Sequence, residues 1–295
     1  MPQPNLVLRS DELSIEIARP GSMDEHHATR FSPAAYILQA RYRDHTYFAD
    51  RGSPMEFDIG ERTTPPGYAL SPPGGCFTKI GVGRLERPTP DPYKLGSTYP
   101  VRVRPETTVE AERSRAAFQQ VLETDEHAPG YDLTVHLTVD GNTLTIDYAL
   151  QNLGETTFAT EQYLHNFSRL DDAALSADYV VSLDYDCEIC DSLGAPLDPP
   201  QTTLIRPDGA RAFTFDVCVA EDRAKLFFRP TGAPACQSWS IENRSTGTGM
   251  TIGADRPPQV SALWATRDQV SPEMNVTLTI EPGATARWSR RCEFR

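Results

Sequence analysis

At 295 residues and 32.7 kDa, with 39% hydrophobic residues, the chain can bury a large core, which excludes a disordered protein. Acidic residues outnumber basic ones 41 to 28, for a net charge of −13, which excludes a surface built to hold nucleic-acid phosphates. No run approaches the ~18 apolar residues of a membrane span, and Met1-Pro2-Gln3-Pro4-Asn5-Leu6 lacks a basic and apolar leader, so the expected location is the cytoplasm. Cys76, Cys187, Cys190, Cys218, Cys236 and Cys292 are then expected as reduced thiols. Cys187-Glu188-Ile189-Cys190 is a C-x2-C, but no second Cys/His pair at zinc-site spacing accompanies it, and neither metal nor cofactor is expected.

In chain order, Leu6–Arg9 and Leu13–Ala18 read as an opening hairpin, followed by a polar loop over 23–31 containing His26, His27 and Arg30. Tyr36–Tyr42 and Thr46–Ala49 read as a second hairpin. Residues 51–100 are rich in Gly and Pro but studded with Phe57, Tyr68, Phe77 and Leu85, which predicts a packed irregular segment rather than a linker. Its Gly75–Gly83 core looks like a phosphate loop, yet no helical pattern follows to supply the amides. Ala116–Leu122 consists of good helix formers and is read as a strand because its surroundings are strands.

The strongest strand signal is Asp132–Val139, which alternates apolar and polar residues, turns at Asp140-Gly141-Asn142 and alternates again over Thr143–Leu150. A further turn and a short strand from Thr157 then lead into Tyr163-Leu164-His165-Asn166-Phe167. Short strands separated by Gly, Pro, Asn and Asp continue to Cys292, with no long amphipathic helix, interior linker or fixed repeat. The reading is all-β: one large antiparallel β-sandwich domain over 1–295.

A strand ending in Asn-x-Gly, followed by Tyr-x-His-Asn-Phe at 163–167, resembles the aldose 1-epimerase (galactose mutarotase-like) superfamily. Thr29-Arg30-Phe31, Glu56-Phe57 and Phe77-Thr78-Lys79-Ile80-Gly81-Val82-Gly83 occur in the order seen in a short bacterial and fungal branch of it. The resemblance implies a sugar-binding sandwich and, at His165, a histidine acting on the sugar-ring oxygen. Opening a sugar ring requires an acid for that oxygen and a base for the anomeric hydroxyl, and histidine, with a pKa near ~6.5, suits proton delivery at neutral pH. The resemblance places the base at Glu273, in a turn ahead of the closing hairpin; Glu281 is read as a turn residue.

Substrate contacts are expected from Arg30, Lys79, His27, Tyr163, Asn166, Trp264 and Glu56. Read alone, His165 serves equally as a core imidazole, Arg30 and Glu273 as surface charges, Lys79 as a structural lysine, and Trp264 and Tyr163 as core aromatics. The Asn-His pair that precedes the catalytic motif of galactose mutarotases has no counterpart here, so the resemblance does not name the sugar. The expected function is aldose 1-epimerase-like isomerisation of a small carbohydrate; the alternatives are a non-catalytic carbohydrate-binding sandwich or another isomerase or lyase reaction on a modified sugar.

Overall fold

The computed structural model describes residues 5–22, 29–58 and 62–295, so His26 and His27 lie outside the described residues. Among the described residues the one helical element is a 3-10 turn, Leu170–Asp172, and no helix is long and apolar enough to cross a membrane. The remaining regular elements are strands, paired antiparallel.

Ten strands form the largest sheet, in the order Ile205–Asp208, Ala212–Phe215, Tyr179–Leu183, Gln237–Asn243, Thr248–Ala254, Thr285–Phe294, Thr143–Asn152, Tyr131–Asp140, Arg115–Leu122 and Thr107–Ala111. Strict alternation is clearest in Tyr131–Asp140, third from one border: Tyr131, Leu133, Val135, Leu137 and Val139 are buried on one face. Gly141, at φ 54°, supplies the left-handed turn that joins this strand to the next. The Arg115–Leu122 strand turns Ala116, Phe118, Gln120 and Leu122 inward, so pairing on both edges overrides its helix propensity.

Two smaller sheets carry the site. One has the order Val276–Ile280, Phe158–Leu164, Met55–Phe57; the other has the order Cys187–Cys190, Arg223–Pro230, Ser261–Thr266, Val270–Glu273. Buried apolar side chains from Leu6 to Phe294 form one cluster beneath them. Within it the Arg290 guanidinium donates to Gln162 Oε1 (3.1 Å) and to the Met274 carbonyl (2.9 Å), while Trp288 Nε1 donates to the same Gln162 oxygen (3.1 Å). These bonds tie the C-terminal strand, inside the large sheet, to the strand that leads to His165 and to the residue that follows Glu273.

Three local expectations change. Glu273 is not in a turn: it ends the Val270–Glu273 strand, opposite Ala262. Pro272 is tolerated there because this is an edge strand, where a missing N–H breaks no ladder on the outer side. The second hairpin is shorter than its pattern, Ile37–Tyr42 with His45–Thr46, because Gln39 Oε1 accepts the Tyr47 and Phe48 N–H groups at 3.0 and 2.9 Å. The Gly75–Gly83 run is a hairpin, Cys76–Lys79 with Gly83–Glu86, and Gly83 at φ 137° has no room for a Cβ, which would meet the Val103 carbonyl at 2.2 Å. Beside it Tyr68, Phe77, Tyr93 and Tyr99 pack into a second core, with Tyr93 and Tyr99 stacked at 5.2 Å, so the segment is packed as its aromatics predicted.

Candidate active site

The site begins where the Phe158–Leu164 strand ends. Met55–Phe57 pairs with it so that Tyr163 and Glu56 are cross-strand partners. Beyond Leu164 the chain is clamped by backbone: His165 N–H donates to the Pro54 carbonyl (3.0 Å) and Phe167 N–H to the Gly52 carbonyl (3.2 Å). Asn166 completes the clamp from its side chain, accepting from the Ser53 hydroxyl (3.0 Å) and donating to the Pro272 carbonyl (3.2 Å). These bonds aim His165 one way and use up the amide of Asn166, which braces the site rather than lining it.

His165 is held between two carboxylates. Its Nε2 lies 2.8 Å from Glu56 Oε2, and its Nδ1 lies 3.0 Å from Glu273 Oε1. The Nδ1 contact has the distance of an ion pair, but it is out of line for a hydrogen bond, which leaves the hydrogen-bonding capacity of Nδ1 unspent. Phe31 meets the imidazole edge-on at 5.1 Å and Phe167 stacks on it at 5.2 Å.

Glu56 is the hub. Fully buried, it accepts from Arg30 Nε and Nη2 (3.1 and 2.7 Å) and from the Tyr163 hydroxyl (2.6 Å), with Lys79 Nζ at 3.7 Å. Burial opposes its charge, but the His165 hydrogen bond and the Lys79 and Arg30 charges outweigh burial and hold its pKa far below the usual carboxylate range. Burial also works against the His165 imidazolium, yet Glu273 and Glu56 more than compensate and raise its pKa. For Glu273, burial is again the opposing effect; His165 and Lys225, whose Nζ is 3.6 Å from Oε2, prevail and lower its pKa. The two groups thus push each other toward their charged forms, imidazolium and carboxylate.

Lys79 sits behind Glu56, away from the surface, donating to the Phe57 and Asp58 carbonyls, and burial lowers its pKa. Asp58, also buried, accepts from the Thr63 and Thr160 hydroxyls (2.8 and 3.0 Å), and burial pushes its carboxyl up to about 6.

A cavity of about 150 Å³ opens in front of His165 and Glu273, walled by Arg30, Phe167, Lys225 and Trp264, with Arg51, Leu95 and Arg223 at its sides. Trp264 meets Phe167 edge-on at 5.6 Å. Of the sequence-predicted residues, His165, Glu273, Arg30 and Trp264 line this space. Tyr163, Glu56, Asn166 and Lys79 form the layer that supports it. Lys225, Arg51 and Arg223 were missed; cross-strand pairing brings Lys225 opposite Trp264, and no local pattern announces it. A larger hollow of about 550 Å³ lies over His136, Asp147, Asp255 and Arg287, all four exposed, whereas His165 and Glu273 at the smaller cavity are buried.

Cys187 and Cys190 lie three apart on one extended strand, so they face opposite sides of it, and burial pushes both thiols up to about 11. They form neither a chelating pair nor an activated one.

An all-β fold built on this ten-stranded sheet, with His165 and Glu273 buried side by side where two smaller sheets meet the chain, defines the class by its architecture. No protein-family model matches the sequence, and no curated protein matches it. Solved structures do match over nearly the whole chain. A galactose mutarotase-like protein from Lactobacillus casei shares 11% identity, covering 99% of this chain and all of that one, with a TM-score of 0.62. A galactose mutarotase related enzyme from Lactobacillus acidophilus shares 10% over 99% and 97% of the two chains (TM-score 0.61). An aldose epimerase homologue from C. elegans shares 12% over 99% and 98% (TM-score 0.58). The fold of this chain is the galactose mutarotase-like fold, as its motifs implied.

Proposed function

We propose that the chain is an aldose 1-epimerase-like isomerase that interconverts the anomers of a small sugar. The observation that carries this reading is the His165–Glu273 pair: an imidazole and a carboxylate, 3.0 Å apart and lining one cavity. The ring oxygen and the anomeric hydroxyl are bonded to the same carbon, so an acid and a base serving them must be neighbours.

Glu273 takes the proton of the anomeric hydroxyl while His165 Nδ1 delivers one to the ring oxygen; the carbon–ring oxygen bond breaks and a carbonyl forms. The carbonyl carbon rotates about its bond to the rest of the chain and presents its other face. The new ring oxygen–carbon bond forms as His165 recovers its proton and Glu273 returns the other. Glu56 supports this cycle by keeping the remaining imidazole proton on Nε2, so that neutral His165 has its lone pair on Nδ1, where the return step needs it. Arg30 contacts hydroxyls at the wall, and Trp264 offers an apolar face to the ring's C–H bonds. A volume near 150 Å³, below the range of ~300–1,000 Å³ common for larger ligands, favours a single sugar ring.

Anomer exchange measured by saturation-transfer NMR tests the reading. Wild-type protein is expected to accelerate exchange of a responsive sugar, and Glu273→Gln to lose roughly 10²–10⁴-fold of that rate with its fold intact. Binding without acceleration in the wild type would instead mark a carbohydrate-binding module.

A further inference from the structure

We propose that the cavity is built for a sugar carrying an anionic group away from its anomeric carbon, with Arg51 and Arg223 as the anion clamp. This rests on the epimerase-like reading for the placement of the reacting carbon at His165 and Glu273.

The argument begins with charge. The chain is strongly acidic and has only three lysines, yet Arg30, Arg51, Arg223 and Lys225 surround one small cavity. The nearby carboxylates are already matched: Glu56 faces Arg30, Lys79 and His165; Glu273 faces His165 and Lys225; and Asp58 lies against Lys79. Arg51 and Arg223 are therefore surplus positive charge, and neither makes an ion pair among the described residues.

Geometry shows what they flank. The Arg51 guanidinium carbon is 5.7 Å from the centre of the Phe167 ring, and that of Arg223 is 5.7 Å from the Trp264 ring. Phe167 and Trp264 touch each other, so two planar forks stand beside one aromatic floor. Arg223 and Lys225 share a face because they are two apart on one strand, and the pairing of that strand puts both beside Trp264. A guanidinium fork held near an aromatic surface matches the paired oxygens of a carboxylate or phosphate. The anion belongs at Arg51 and Arg223 rather than at the reacting carbon, because the cations beside the reacting carbon are engaged by Glu56 and Glu273, whereas these two arginines are not. The field of the site therefore orients the substrate, anomeric carbon toward the carboxylates and anionic group toward the arginines.

The test uses the full chain with glucose, galactose, glucose 6-phosphate, galactose 6-phosphate, glucuronate and galacturonate, measuring anomer exchange by NMR and binding by calorimetry. At least one anionic sugar is expected to exceed its neutral parent about tenfold in kcat/KM, with an affinity that weakens as salt rises. Preference for the phosphate esters or the uronates identifies the anion. Arg51→Gln with Arg223→Gln is expected to raise KM or Kd for that sugar by roughly 10–100-fold, with circular dichroism unchanged. Anionic sugars bound without faster exchange would keep the clamp and overturn the epimerase reading. Faster exchange of neutral sugars only would overturn the clamp and leave the epimerase. Salt-independent binding of the anionic sugars by wild type, or no binding of them, would also overturn the clamp, whether or not the double variant folds.

Discussion

Replacing Glu56 by Gln tests whether a carboxylate that does not line the cavity governs the site. The side chains have nearly equal volume, so no void is made. What changes is that a buried anion surrounded by Arg30, Lys79, the Tyr163 hydroxyl and His165 becomes a neutral amide, one of whose two terminal groups is itself a donor. Removing one partner of a buried pair costs ~3–5 kcal/mol, because the remaining charges keep their desolvation penalty. At ~2.1 cal/mol/K per residue, a chain of 295 residues should melt roughly 5–8 °C lower. His165 also loses one of the two anions that raise its pKa, so its NMR titration should move to lower pH and the alkaline limb of activity should move with it. Thermal melts and a ¹⁵N titration of His165 measure both effects. An unchanged melting temperature together with an unchanged His165 titration would refute the assignment of Glu56 as the hub.

Four further outcomes follow from the same geometry. Activity should form a plateau from below ~4.3, where lowered Glu273 ionises, to above ~6.5, where raised His165 finally loses its proton, as a pH–rate profile would show. Stability follows matching signs: the His165 contribution is complete below ~6.5 and is lost as pH rises through its raised value, while those of Glu56 and Glu273 are lost as pH falls through their lowered values. Asp58 acts against folding as pH rises, because its carboxyl is pushed up to about 6 in the fold; Asp58→Asn should remove roughly 3 kcal/mol of stability loss between pH ~4 and ~6, read by urea unfolding at each pH. Gly52→Ala places a Cβ 2.1 Å from the Ile37 carbonyl at a φ of 61°, and should cost more than ~1 kcal/mol and lower activity by shifting the clamp on residues 165–167, measured by melting and anomer exchange together.

The strands were legible because burial on one face writes a period of two into the sequence, as in Tyr131–Asp140, and pairing enforced that period even on the helix-prone Arg115–Leu122. His165 and Glu273 were legible only through motif resemblance. They stand more than a hundred residues apart, and nothing local to either one reports the other. Glu56 was expected only as a substrate contact, and the structure makes it the buried hub behind His165. Its one signal was the Glu56-Phe57 of the motif resemblance: strand alternation alone would turn Glu56 to the face opposite Met55 and Phe57, and only the tertiary fold buries both faces. Arg51, Arg223 and Lys225 had no comparable signal, since exposed basic residues look alike until strand pairing sets them around one space.

The ends of the ten-stranded sheet bear on how the molecule survives at high concentration. A sheet of that width offers two open borders where a second chain could add its own strand. At one border Ile205–Asp208 carries Arg206, Pro207 and Asp208, all exposed; proline removes a donor, and the two charges make a flat, dry junction unfavourable. At the other, Thr107–Ala111 presents Glu110 and no exposed large apolar side chain. Charge at both borders, and proline at one, disfavour the addition of a second chain's strand, so the breadth of the sheet comes with edges that resist templating.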